Sequence, residues 1–137
     1  MSVDLRTRYL GLELQHPIVA SASPLTGSID SLKRLQAAGV AAVVLPSLFE
    51  EQIEHDEMAT HDLMMYGAEL SPEAHGFFPE MQNYRTGPDQ YLALIADAKK
   101  ALAVPVIASL NGYTPGGWTS IARQIQDAGA DAIELNV

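Results

Sequence analysis

The sequence contains no cysteine. That excludes disulfides and thiolate metal centres, and it fits the cytoplasm, where thiols stay reduced. Basic residues are also few: 8 Lys and Arg stand against 17 Asp and Glu, for a net charge of −9. Those eight are scattered rather than clustered, so neither nucleic acid nor an anionic membrane surface is an expected partner. Long apolar runs are missing too. None reaches the roughly 18 to 20 residues a membrane helix needs. The N-terminus, Met1-Ser2-Val3-Asp4-Leu5-Arg6, lacks the apolar segment of a signal peptide. What remains is an ordinary globular composition of 137 residues, 47% hydrophobic, with a mean hydropathy of +0.04. That length is enough for one domain with its own core.

The informative pattern is at the end of the chain. Ala128-Gly129 has the form of a helix stop, and Ala130-Asp131-Ala132-Ile133-Glu134-Leu135-Asn136-Val137 follows as an apolar, β-branched run. The same arrangement occurs earlier, in Ala38-Gly39 followed by Val40-Ala41-Ala42-Val43-Val44-Leu45. A repeated unit of helix, Ala-Gly and buried strand predicts βα repeats and a parallel sheet.

Taken in order, residues 5–15 predict a β-hairpin. Leu5, Thr7 and Tyr9 alternate with Arg6 and Arg8, Gly11 permits a tight turn, and Leu12 and Leu14 resume the alternation. Residues 16–24 predict the first buried strand, small and polar at its outer end. Ser28 is placed to cap a helix with Asp30 in its first turn and Ala38-Gly39 at its stop. Val40 to Leu45 predict the second strand, ended by Pro46-Ser47. Phe49 to Tyr66 is acidic and patterned as a helix. Gly67 to Gly87, rich in Pro, Gly and polar residues, has the composition of a long functional loop. Pro88 suits a first helical position, with Tyr91, Leu92, Leu94, Ile95, Ala98 and Leu102 as the apolar face. Val104 to Leu110 predict the third strand. Thr114-Pro115 then opens a helix with Trp118, Ile121, Ala122 and Ile125 inward, and the terminal run is the fourth strand.

Four histidines invite a metal reading, but His55 and His61 lie roughly 240° apart around a helix, so no metal site is expected from them or from His16 and His75. Glu50, Glu51, Glu54, Asp56 and Glu57 predict a solvated helix face. Gly112, Gly116 and Gly117 stand between a strand and a helix, where backbone amides bind phosphate, but without dinucleotide-fingerprint spacing. Asn111 and Asn136 are stronger candidates. Both fall at C-terminal strand ends, the face on which βα barrels hold ligands.

These segments together resemble the dihydroorotate dehydrogenase family of flavin-dependent (β/α)8 barrels. The resemblance rests on Tyr9-Leu10-Gly11-Leu12-Glu13-Leu14 with His16-Pro17-Ile18-Val19, on Val106-Ile107-Ala108-Ser109-Leu110-Asn111-Gly112, and on Glu134-Leu135-Asn136-Val137. It implies an α/β fold, the N-terminal half of a (β/α)8 TIM barrel with a hairpin and four parallel strands. It also implies FMN at the strand ends and a small-molecule substrate oxidised at a CH–CH bond, dihydroorotate or a similar ring. Ser21, Ala22 and Ser23 match the small segment that passes the flavin ring, and Ser47 matches a hydroxyl beside it. Asn111 falls where the third strand meets the cofactor, Asn136 matches an amide shared by flavin and substrate, and Asn83 matches a substrate-binding amide.

The family carries a lysine just before the position of Ser47, where this sequence has Pro46. The family's general base lies in the loop after the fourth strand, so it is expected beyond Val137 and no catalytic residue is assigned here. The expectation is a partial flavin-binding barrel domain over residues 1–137, truncated after the fourth strand. Such a chain is expected to be inactive alone and to associate through exposed half-barrel edges, as a homo-oligomer or with a partner. Other readings of the same residues are a different FMN- or phosphate-binding barrel and a non-catalytic half-barrel that assembles with a partner.

Overall fold

The computed structural model describes residues 3–50, 52, 53, 58, 87–112, 114 and 117–136. The chain opens with a hairpin of β1 (Thr7–Tyr9) and β2 (Leu12–Leu14), paired antiparallel with Thr7 opposite Leu14 and Tyr9 opposite Leu12. Leu10 and Gly11 form its two-residue turn, both at positive φ (51° and 76°). That mirror-image turn matches the twist of the two strands. Leu14 is the hairpin's buried anchor.

The main sheet has four parallel strands in sequential order: β3 (Val19–Ala20), β4 (Ala42–Phe49), β5 (Val106–Asn111) and β6 (Ala132–Asn136). Between them run α1 (Ile29–Ala37), α2 (Gly87–Ala101) and α3 (Gly117–Asp127). The three helices cover one face. Leu32 of α1, Tyr91, Ile95 and Ala98 of α2, and Ile121 and Ile125 of α3 form one buried cluster with Val43, Leu45, Val106, Ala108 and Leu110. The other face is covered at its N-terminal end by the hairpin, where Leu14 packs with Ala42, Val44 and Ile107. Strand residues alternate between the two faces, which is why these strands read as continuous apolar runs.

Local chemistry fixes the joints. The Ser28 hydroxyl accepts from the Ser31 amide (3.3 Å) at the start of α1, and Gly39 (φ 95°) and Gly129 (φ 101°) reverse the chain after α1 and α3. A side chain is strained at such angles, so the two Ala-Gly stops are backbone requirements. Asp131 accepts from Lys99 Nζ (2.7 Å) and from the Val106 amide (2.8 Å), tying α2 to the starts of β5 and β6. Gln36 Oε1 accepts from the Ala103 amide (2.7 Å), tying α1 to the turn after α2.

Several expectations are corrected. The first strand is not a long buried one. Only Val19 and Ala20 are paired, half-buried on the sheet edge, and Ile18 is 67% exposed. His16 holds the approach to it. The Ile18 amide donates to Nδ1 (3.3 Å), so Nε2 carries the proton and donates to the Gly39 carbonyl (2.7 Å). The second strand does not stop before Pro46 but runs through it to Phe49, with a register shift between Val44 and Ser47. A bulge is where a strand tolerates a residue without an N–H. The helix expected from Phe49 therefore begins after it, with Glu50, Gln52, Ile53 and Met58 helical. Glu50 is not on a solvated face: it is 1% exposed. The rest of that acidic stretch, nearly all of the Gly67–Gly87 loop, His55, His61, His75 and Asn83 lie outside the described residues.

Candidate functional site

Strand register places the site. On the face away from the helices, Val44, Ile107 and Ala132 lie abreast as an apolar row. The next row toward the C-terminal ends is Ser47, Ser109 and Glu134, and the last is Phe49, Asn111 and Asn136. The face thus turns from apolar, where the hairpin covers it, to polar at the strand ends. It does so because every second residue of β5 and β6 changes character along the strand.

The polar rows are wired together. Ser47 Oγ lies 2.8 Å from Ser109 Oγ, and Ser109 Oγ donates to Glu134 Oε1 at 3.0 Å. The Asn136 amide donates to Glu134 Oε1 (3.4 Å) and Ser109 Oγ (3.5 Å). On its other side Glu134 lines a cavity of about 340 Å³ with Val19, Ser21, Val44, Leu14 and Tyr9. That cavity lies between hairpin and sheet.

Behind the network, Tyr91 reaches in from α2. Its hydroxyl accepts from the Ser109 amide (2.8 Å) and donates to the Ser109 carbonyl (3.1 Å). It sits beside the register shift at Leu45-Pro46, where β4 falls out of step with β5. Burial pushes the Tyr91 phenol up to about 12, with the nearby Glu134 adding to the rise and the Ser109 backbone bond opposing it. The phenol therefore holds its proton, and its donor role, across all ordinary pH.

A second anchor holds the loop after β5. The buried Glu50 carboxylate, just past the end of β4, accepts from both the amide (3.1 Å) and the hydroxyl of Thr114. The Gly112 amide donates to the Asn136 carbonyl (3.2 Å), closing the ends of β5 and β6.

Of the residues singled out by sequence, Ser47, Asn111 and Asn136 share the C-terminal end of this face. Ser21 is exposed just past β3 and lines the cavity, and Ala22 packs with the inner apolar cluster. Ser23 leads into the single turn Pro24–Thr26, where its backbone carbonyl accepts from Thr26 Oγ1 (2.9 Å). Sequence reasoning missed Ser109, Glu134, Tyr91 and Glu50 as parts of this arrangement. For Ser109 and Glu134 the signal was present, because each precedes a candidate asparagine by two residues and so shares its face. Glu50 and Tyr91 had none, since an acidic run and an apolar helix face hide them.

The sequence is similar to known proteins along nearly its whole length. The chain is 27% identical over 134 residues to the catalytic subunit of dihydroorotate dehydrogenase B (NAD(+)) of Thermoplasma volcanium, covering 98% of this chain and 41% of the relative. The corresponding subunit of Methanocella arvoryzae is 32% identical over 127 residues, 93% of this chain and 38% of the relative. This chain is related to the dihydroorotate dehydrogenases. It is also 25% identical over 143 residues to the NAD-dependent dihydropyrimidine dehydrogenase subunit PreA of Escherichia coli, covering 99% of this chain and 32% of that protein. The chain spans about two fifths of the length of the first of these relatives. No protein-family model matches it. Among the described residues no helix is long and apolar enough to cross a membrane.

Proposed function

We propose that this chain supplies the first strands of a (β/α)8 barrel and the ring-binding part of an FMN site. The protein it serves would be a cytoplasmic oxidoreductase of the dihydroorotate dehydrogenase type. Its substrate would be dihydroorotate or a similar dihydropyrimidine ring, oxidised at a CH–CH bond, as in pyrimidine biosynthesis. The observation that carries this reading is the polar end of the sheet, where Ser47, Ser109, Glu134, Asn111 and Asn136 lie beside the exposed Phe49 ring. Two amides, a hydroxyl and an aromatic face suit a flat heterocycle with a polar edge, which is what a flavin ring presents. FMN, when bound, supplies a hydride acceptor. The chain's own residues would orient the ring: Asn111 and Asn136 at its polar edge, Ser47 beneath it, Ser21 and Ala22 allowing close approach, and Asn83 toward the substrate. The proton removed with the hydride would go to a base outside the described residues.

The test is a titration of FMN into the chain, read by quenching of flavin fluorescence. Binding is expected to be weak, because the described residues hold the ring without its phosphate, and no dihydroorotate oxidation is expected from the chain alone. Asn136→Ala should weaken binding about three- to tenfold, the value of one neutral hydrogen bond. Quenching that is absent in the wild type, or unaltered in the variant, defeats the assignment.

The sheet leaves β3 and β6 as edges, with Ile18 67% and Leu135 46% exposed beside them. Unpaired edges and apolar surface favour association. We expect light scattering to show the chain as a dimer or larger species. A monomer that persists at high concentration would count against half-barrel pairing.

A further inference from the structure

We infer that Glu134 is a positioning residue that sets the hydrogen-bonding polarity of the strand ends, so that they offer acceptors and select a ligand edge carrying N–H donors. The inference rests on the proposed function only for where the ligand sits. The polarity itself follows from the network.

A carboxylate accepts and does not donate. Ser109 has one hydroxyl proton, and it goes to Glu134 Oε1 at 3.0 Å. The 2.8 Å contact between Ser47 and Ser109 must then be donated by Ser47, which leaves Ser47 Oγ with lone pairs only. The Asn136 side chain lies 3.4 Å from the same Glu134 oxygen, so it must turn its NH₂ group inward. Its oxygen, on the opposite branch of the amide, is left facing outward at the exposed end of β6. One acceptor at the base of the network thus orients every group above it.

The surface presented to a ligand is therefore an amide oxygen and a serine lone pair. A ring of the imide or ureide type, with N–H groups on its edge, satisfies both. A carboxylate or phosphate placed against the same atoms would meet acceptor on acceptor. Glutamine at position 134 would remove this constraint. Its NH₂ group can donate to Ser109 or to the Asn136 oxygen, and the network would then run in either direction.

Two readouts test this. In ¹⁵N-labelled protein without ligand, the side-chain NH₂ signals of Asn136, identified by their loss in Asn136→Ala, should shift in Glu134→Gln. Their exchange with water should also quicken several-fold, with the melting curve still cooperative. In FMN titrations, Glu134→Gln should weaken binding about three- to tenfold in the wild-type background and clearly less in the Asn136→Ala background, where only the Ser47 lone pair is left for it to disturb. If Glu134→Gln does not fold, Glu134→Asp serves instead: it keeps the acceptor one methylene farther back and should shift the same signals part of the way. Asn136 signals unmoved in a folded variant overturn the inference, as does an equal effect on binding in both backgrounds. Signals that move while no variant or wild type binds FMN uphold the positioning role and reject the flavin reading instead.

Discussion

Tyr91→Phe is expected to destabilise the chain by about 1–3 kcal/mol, although it removes a single oxygen. The hydroxyl serves both the N–H and the carbonyl of Ser109 beside the β4 bulge. Phenylalanine fills the same space but leaves both buried groups without that partner, and the cost is set by their desolvation rather than by lost contact area. The same residue predicts an alkaline signature. Its folded value is raised to about 12 from an ordinary 10. Between pH 10 and about 12 the unfolded chain has released this proton and the folded chain has not. Unfolding is then favoured by rising pH, and the stability present below pH 10 is lost across that window. Two units correspond to roughly 2–3 kcal/mol. Urea titrations of wild type and Tyr91→Phe at pH 8 and pH 11.5 check both claims. The gap between the two proteins should narrow at the higher pH, and an unchanged gap would remove Tyr91 from the ladder.

The second large effect is expected at Ile95. It lies at the centre of α2, fully buried in the cluster shared by Leu32, Val43, Val106 and Ile125. Ile95→Ala should cost about 2–5 kcal/mol, the sum of lost transfer free energy and the cavity left behind. A domain of this size has only about 5–15 kcal/mol in total, so the variant should be near the edge of folding at 37 °C. The urea midpoint should fall with little change in slope. Leu94→Ala, on the half-buried flank of the same helix, should cost clearly less. Equal losses at the two positions would mean that α2 packs with a different face toward the sheet.

The α/β class, the order of helices and strands, and the Ala-Gly stops at Gly39 and Gly129 were legible from the sequence alone, because they are local. A helix stop needs a residue that accepts positive φ, a buried parallel strand needs a continuous apolar run, and Ser28 needs only its own first turn to cap α1. Asn111 and Asn136 were legible as strand-end amides for the same reason. Position along the chain did not disclose what depends on neighbours distant in sequence. Pro46 looks like a strand terminator until β5 runs beside it and Tyr91, 45 residues later in the chain, brings a hydroxyl to the bulge. Glu50 looks like one more solvated acid until Thr114 closes over it. Ser109 and Glu134 gain their role only when register sets Ser47, Ser109 and Glu134 side by side. Backbone preference and hydrophobic pattern act within a few residues. The partner of a buried polar group is chosen by which strands lie adjacent, and that is decided only when the sheet and its helices pack.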